Sequence, residues 1–311
     1  MSSFSETSPQ VSIIIVSYRV QQLLRQALQS IYTFSNKQLL EVIVIDNASN
    51  DGTAEMLKNE FPQVKSIINK TNLGFPAANN QGFSLAKGTY VFMLNPDTEF
   101  VSPLVDQLYN YLEKNPDFDL VAPKLLNTDK SHQISAWRYP TLASVTLDLM
   151  HLNKINKKHF YLDKQPENHS FEAESMSGAA LFFRKKCLDI SGGLDEGMFW
   201  IEDIEFCFRI GKSGCRKMYL SDFELIHHSG QSAKKNYNIS ISNQIYNKIK
   251  YFKKHQSSIS AFYISCLSFV HVIAKIIVFS ILSPFSKINS LKRKAYWYTL
   301  KRVFNPPAGI A

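Results

Sequence analysis

Several hallmarks of common enzyme classes are missing from this sequence. The cysteines Cys187, Cys207, Cys215 and Cys266 form no CxxC pair. Their spacing offers neither a zinc cluster nor a disulfide framework, so a reducing compartment is the simpler reading. No GxGxxG follows a strand, which argues against a dinucleotide dehydrogenase. A nucleotidyltransferase would carry a Gly-rich, basic phosphate loop early in the chain, whereas the first strand here runs into VSYRV. The opening MSSFSETSPQ is polar and charged only at Glu6, so no signal peptide is read there and the body of the protein is expected in the cytoplasm. Acidic residues stop at Glu224: beyond it lie 13 Lys/Arg, leaving 22 basic against 26 acidic residues before it, a net of −4. A neutral-to-acidic body therefore carries a wholly basic tail, suited to an anionic surface of phospholipid or nucleic acid.

What is present is the make-up of a globular chain. The sequence has 311 residues, 45% hydrophobic and 20% charged, enough for a catalytic domain with an appendage. VSIIIV (11–16) and EVIVID (41–46) are β-branched runs of the kind buried on both faces of a sheet. Between them Leu23, Leu24, Ala27, Leu28 and Ile31 mark one stripe of a helix. A helix is predicted near 52–60, a strand at Val64–Ile68, a helix over 75–87 with Gly88 as its left-handed cap, and a strand at TYVFMLN (89–95). This alternation predicts an α/β fold with a mainly parallel sheet. Residues 127–175 carry few periodic signals and are expected to include loops that approach a substrate. SGAALFFR (177–184) reads as a strand, 201–214 as a helix closed by Gly214, and 215–226 as a strand; from 240 the pattern is helical.

Ligands of such sheets sit at the carboxyl ends of the strands. The residues there are Ser17-Tyr18, Asp46-Asn47 and Asn95-Pro96-Asp97. Asp46, an acceptor when ionised, suits the imide N–H of uracil or thymine, and equally an Asx turn in NASNDGT. Pro96 stops its strand and presents Asp97, a candidate cation ligand or a turn aspartate. Glu202-Asp203 opens a helix after Phe199-Trp200; Asp203 is either a dipole partner or a general base. Glu205 and Arg209, spaced i, i+4, read as a structural pair. His227-His228 offers an imidazole for a metal or a diphosphate, or mere filler.

The ordered blocks VSIIIVSYR, EVIVIDNASNDGT, NKTNLGFPAANNQG, YVFMLNPDT, SGAALFFRK, GGLDEGMFWIEDIEFCFRIGKSG and IHHSGQS resemble family 2 glycosyltransferases, in particular the rhamnosyltransferase-like branch. The resemblance covers residues 11–232. It implies a GT-A fold, with Val16, Ser17, Tyr18 and Asp46 lining the nucleobase pocket and Asn72, Gly74 and Asn80 in a block approaching the donor. Asn95 and Asp97 stand at the metal-binding DXD-type element, with Asn in the first place. Asp203 would be the catalytic base, with Trp200 and Glu202 on the acceptor side, and His227 would join Asp97 at the metal. Pro76 stands where a small residue is more familiar. The activity implied by the resemblance is an inverting, Mg2+- or Mn2+-assisted transfer from a dTDP- or UDP-linked sugar, with rhamnose suggested, to a glycan or lipid-linked acceptor in cell-surface polysaccharide synthesis. The alternatives are a catalytically inactive glycan- or lipid-binding relative and, less favoured, a nucleotidyltransferase.

The organisation expected is a polar segment (1–10), a catalytic domain (11–232) and a basic helical extension (233–311). Residues 259–282 are long enough to span a bilayer. Ser265, Ser268, His271 and Lys275 nevertheless fall on one side, which favours a helix in the interface or packed on the body. LKRKAYWYTLKRVF then mixes basic and aromatic residues, as lipid headgroups prefer. The protein is thus expected as a peripheral or monotopic protein at the cytoplasmic face of the plasma membrane, with nucleic acid the lesser candidate partner.

Overall fold

The computed structural model describes residues 9–36, 39–152, 160–163, 169–228 and 237–304. The expected division at residue 232 lies outside them. Strands β1 (Val11–Ser17), β2 (Leu40–Asp46), β3 (Lys65–Ile68) and β4 (Tyr90–Leu94) alternate with helices α1 (Gln21–Phe34), α2 (Thr53–Glu60) and α3 (Phe75–Leu85). Then come β5 (Thr98–Phe100), α4 (Leu104–Lys114), β6 (Leu120–Leu126) and the short strands β7 (His132–Gln133) and β8 (Ala136–Trp137). Helix α5 (Leu142–Leu149), β9 (Phe171–Glu172), β10 (Ser175–Met176), β11 (Ala180–Arg184) and α6 (Lys186–Ser191) lead to α7 (Glu202–Lys212) and β12 (Lys217–His227). The chain continues into α8 (Tyr237–His255), α9 (Ser258–Leu282), a 3₁₀ turn at Ser283–Phe285 and α10 (Lys287–Phe304).

The main sheet runs β3-β2-β1-β4-β11-β6-β12-β5. β1 to β4 are parallel, β11 is antiparallel to β4 and β6, and β12 is parallel to β6. Every residue of β1 is buried, because its two faces serve different cores. Ile13 and Ile15 join Leu24, Leu28 and Leu108 on one side, and Ile14 and Val16 join Ala78, Phe183 and Phe206 on the other. Each fully buried side chain of this size contributes about 1.5–3 kcal/mol. The register pairs Ser17 with Asp46 and Ile15 with Leu94, so β1, β2 and β4 end at one level.

Gly88 departs from its expected role. α3 ends at Leu85, and Gly88 is not in the left-handed region. A Cβ there would stand 2.7 Å from Ser12 N and 2.8 Å from Gln10 O. The glycine admits β1 against the turn into β4, and its N–H donates to Ser12 Oγ. Gly214, by contrast, has φ +89° just past α7, as a helix stop requires. Pro76 sits buried in the first turn of α3, where no intrahelical donor is lost.

A third core joins α5, α8 and α9 to the segment before α7, through Leu149, Ile249, Phe252, Ile264, Val272, Met198 and Ile201. The polar side of α9 faces inward: Ser268 is buried, and the half-buried His271 donates from Nδ1 to Leu149 O at 2.6 Å. Burial pushes the His271 imidazole below its ordinary range, which favours the neutral ring. The outward side is apolar, with Phe262, Phe269, Val270, Ile277, Val278 and Ile281 exposed. Ser258–Phe285 has the length and the mean hydropathy (2.2) to cross a membrane, by composition alone.

Candidate active site

The end of β1 supplies Val16, Ser17 and Tyr18. Val16 and Ser17 are buried, Ser17 Oγ has no hydrogen-bond partner among the described residues, and Tyr18 is half-buried with the Arg19 guanidinium 5.1 Å from its ring centre. Asp46, 2% exposed, accepts the Ser49 N–H at 3.0 Å through Oδ1, so the Asx turn expected of it is present. One oxygen serves the turn; the other faces no described donor.

Asn47 organises the next loop. Its Nδ2 donates to Asn72 Oδ1 (2.8 Å) and Gly74 O (3.3 Å), while its Oδ1 accepts Leu73 N (3.0 Å) and Asn69 Nδ2 (3.2 Å). Asn72 Oδ1 also accepts Gly74 N, where φ is +87°. Asn72 and Gly74 therefore shape the turn into α3. Asn80 lies farther along α3 and grips the 193–196 loop: Nδ2 donates to Leu194 O and Glu196 Oε1, and Oδ1 accepts Leu194 N. The described polar contacts of Asn80 are with that loop rather than at the strand ends.

Beyond β4 the polypeptide places a carboxylate and an imidazole face to face. His227, at the end of β12, has Nδ1 2.7 Å from Gln133 Oε1 and Nε2 3.2 Å from Asp97 Oδ1. Gln133 Oε1 is an acceptor, so Nδ1 donates to it; a neutral ring then presents the Nε2 lone pair, whereas a protonated one donates from Nε2 to Asp97. Asn95 Nδ2, a donor, faces the same Nε2 at 3.3 Å. An unprotonated imidazole nitrogen beside a carboxylate oxygen is a donor set for a divalent cation. Among the described residues no group of three or more His, Cys, Asp and Glu forms a full cage. His228 turns away, its Nε2 3.0 Å from Glu99 Oε2.

The link from this pair to Asp203 runs through residues 177–179. Asn95 N donates to Ala179 O (2.9 Å), and the next-door Gly178 N donates to Asp203 Oδ2 (2.8 Å). A Cβ on Gly178 would come within 3.2 Å of Asp203 Cβ, so a larger residue would push the carboxylate away. Asp203 Oδ1 accepts Ile204 N at 2.8 Å. Desolvation raises the Asp203 carboxyl above its ordinary value, although the Gly178 and Ile204 N–H groups oppose the shift. Burial, then the Asp203 charge, push Glu202 up to about 8. Its Oε2 is buried without a partner among the described residues, as is the indole N–H of Trp200. Trp200 has φ +90°, a costly conformation for a bulky residue and one that marks functional loops.

The structure thus brings together polar strand ends, an imidazole–carboxylate pair and a buried carboxylate linked to that pair through Ala179 and Gly178. The family model for glycosyl transferase family 2 matches residues 12–186. The chain belongs to this family. Over 236 residues it is 24% identical to the N-acetylglucosaminyl-diphospho-decaprenol L-rhamnosyltransferase of Mycobacterium tuberculosis, spanning 71% of this chain and 76% of that one. The solved mannosyltransferase of Pyrobaculum calidifontis, in complex with GDP-Man and Mn2+, is similar at a TM-score of 0.56 and 14% identity, over 97% of this chain and 88% of that one. GalNAc-T7, solved with UDP, GalNAc and Mn2+, is similar at a TM-score of 0.53 and 15% identity. That likeness covers 72% of this chain and less than half (44%) of GalNAc-T7. The fold is GT-A, as the order of motifs predicts.

Sequence reasoning placed Asn47 at a strand end without giving it a role, and missed Gly178 and Gln133. Asn47 shares the strand-end position that drew attention to Asp46. Gly178 carried only the weak hint of a glycine before a strand. Gln133, which sets the His227 tautomer, lies in the stretch without periodic pattern and gave no hint at all.

Proposed function

We propose that this family 2 member is an inverting glycosyltransferase, moving a sugar from a dTDP- or UDP-linked donor to a hydroxyl of a glycan or lipid-linked acceptor. Rhamnose is the sugar favoured by the M. tuberculosis relative, whose name also gives a lipid-diphosphate acceptor. The observation that carries the reading is the chain of contacts from the Asp97–His227 pair through Asn95, Ala179 and Gly178 to Asp203.

In this reading the nucleobase lies against Val16, Ser17 and Tyr18, with its imide N–H on the spare oxygen of Asp46. Asn72 and Gly74 keep the α3 entry in place around the donor, and Asn80 holds the 193–196 loop beside it. Mg2+ or Mn2+, held by Asp97 and His227 with Asn95 beside them, would offset the charge of the diphosphate when bound. Asp203 takes the proton of the acceptor hydroxyl. The hydroxyl oxygen forms its bond to the anomeric carbon from the face opposite the nucleotide, as the carbon–oxygen bond to the diphosphate breaks. Inversion results from this single displacement. Trp200 and Glu202 serve the acceptor side, their indole N–H and carboxyl oxygen being buried without a partner among the described residues. Burial raises the Glu202 carboxyl and the Asp203 charge raises it further, which disfavours ionisation of both carboxyls at once. The body (11–232) works at the cytoplasmic face of the membrane, held there by the extension (233–311).

The test is a panel of dTDP- and UDP-sugars with a lipid-linked acceptor and Mg2+ or Mn2+, the product's anomeric configuration being read by NMR. Transfer with inversion is expected. A product of retained configuration contradicts the proposed displacement.

A further inference from the structure

Helix α10 sets Lys294, Trp297, Tyr298 and Lys301 on one stripe, at helical spacings of three and four residues. With Arg293 and Ser280 of α9 they line a hollow of about 450 Å3. The opposite side of α10, Ala295, Tyr296 and Thr299, is buried where α10 packs on α8 and α9, so the stripe faces outward. Arg293 Nη1 donates to Ser283 Oγ at 3.2 Å, which holds it at the hollow's edge. Among the described residues none of Arg293, Lys294 and Lys301 forms an ion pair, and no acidic residue exists after Glu224 to supply one nearby in sequence. Three cations without an anion are left beside two aromatic rings. Ser280 lies beside Ile281 and one turn from Ile277, and Phe285 comes just after; these are 66%, 56% and 83% exposed. The hollow thus borders the outward apolar face of α9.

We propose that this hollow binds the phosphate of an anionic phospholipid in the bilayer on which the apolar face of α9 rests. Charge complementarity selects the phosphate, Trp297 and Tyr298 suit the headgroup level, and Ile277, Ile281 and Phe285 reach the acyl boundary. This inference rests on the membrane placement proposed above and adds a defined lipid site to it.

The experiment is co-sedimentation of the full chain with vesicles of phosphatidylcholine alone and of phosphatidylcholine mixed with phosphatidylglycerol. Wild type should bind both and prefer the anionic vesicles. Lys294→Gln with Lys301→Gln should weaken binding to anionic vesicles roughly 10- to 30-fold and leave binding to neutral ones unchanged. Lys253→Gln with Lys287→Gln removes the same charge from exposed sites outside the hollow and should cost far less. Equal losses in the two double variants overturn the hollow as a site while leaving the membrane placement standing. Stabilisation of wild type by inorganic phosphate, lost in Lys294→Gln/Lys301→Gln, with no preference for anionic vesicles, overturns the lipid assignment in favour of a free anion. Wild type that binds neither vesicle overturns the membrane placement, and this inference with it.

Discussion

Glu202 and Asp203 open the first turn of α7, and burial raises both carboxyls. For Glu202, ordinarily near 4.5 and pushed to about 8, the folded protein holds the proton more tightly than the unfolded chain. Its contribution to stability is therefore complete below about 4.5 and is lost as pH rises towards about 8. Thermal melting of wild type should fall over that window, and Glu202→Gln should flatten the fall; parallel curves would deny the shift. Asp203 must be ionised to act as a base, so transfer should rise with pH through a midpoint above an ordinary aspartate's. Asp203→Asn keeps the size and removes the base. Turnover should drop by about 10²–10⁴-fold with donor affinity nearly intact. Near-wild-type turnover would send the search for the base elsewhere. Asp46 shows how far residue type alone reaches. Both readings of it are open from the sequence, and the structure places one oxygen in the turn without closing the other to a base.

α7 is fastened to α8 by charge. Glu205, with its side chain fully buried, accepts from Arg209 at 2.8 Å, Lys254 at 2.8 Å and His255 at 2.9 Å. Burial alone would raise its carboxyl, but the Lys254 hydrogen bond and the Arg209 charge outweigh that and hold it below the ordinary value. Asp195 ties the loop before α7 to Lys254 (2.8 Å) and Lys250 (3.4 Å), and Asn247 donates to Phe199 O. Glu205→Ala would strip Arg209 of its carboxylate and leave Lys254 with Asp195 alone, and should cost about 3–5 kcal/mol in urea unfolding, as for other broken buried pairs. A loss under about 1 kcal/mol, the range of exposed ion pairs, would show that the clasp is dispensable. The Glu205–Arg209 pair was legible from its spacing. Lys254 and His255 were not, because 49 and 50 residues separate them from Glu205 and no local rule joins them. Gly88 failed as a helix cap for a related reason: its constraint comes from the β1 backbone across the sheet edge, which periodicity within α3 does not register.

Across the whole molecule, a sheet edge carrying the candidate site and a basic, outward-apolar helical layer meet in one core around Met198 and Ile201. The parallel strands were legible because runs such as VSIIIV are apolar on both faces. The inward turn of the polar side of α9 was not, since a stripe of Ser, His and Lys reads most simply as a wet surface. Burial of that stripe puts the apolar side outward, so membrane binding should combine a charge component with a salt-insensitive one. High-salt washing of membranes should release the protein only in part, and detergent fully; a soluble protein at physiological salt would contradict the placement. Central to the proposed function is that Asp97 and His227 hold a cation for the donor diphosphate. Calorimetry of UDP and dTDP, with and without Mn2+, against wild type and Asp97→Ala tests it most directly. The expected result is metal-dependent binding of the diphosphates that is lost in the variant, with affinity for the bare nucleosides preserved. Equal losses for nucleoside and nucleoside diphosphate would instead make Asp97 a structural residue.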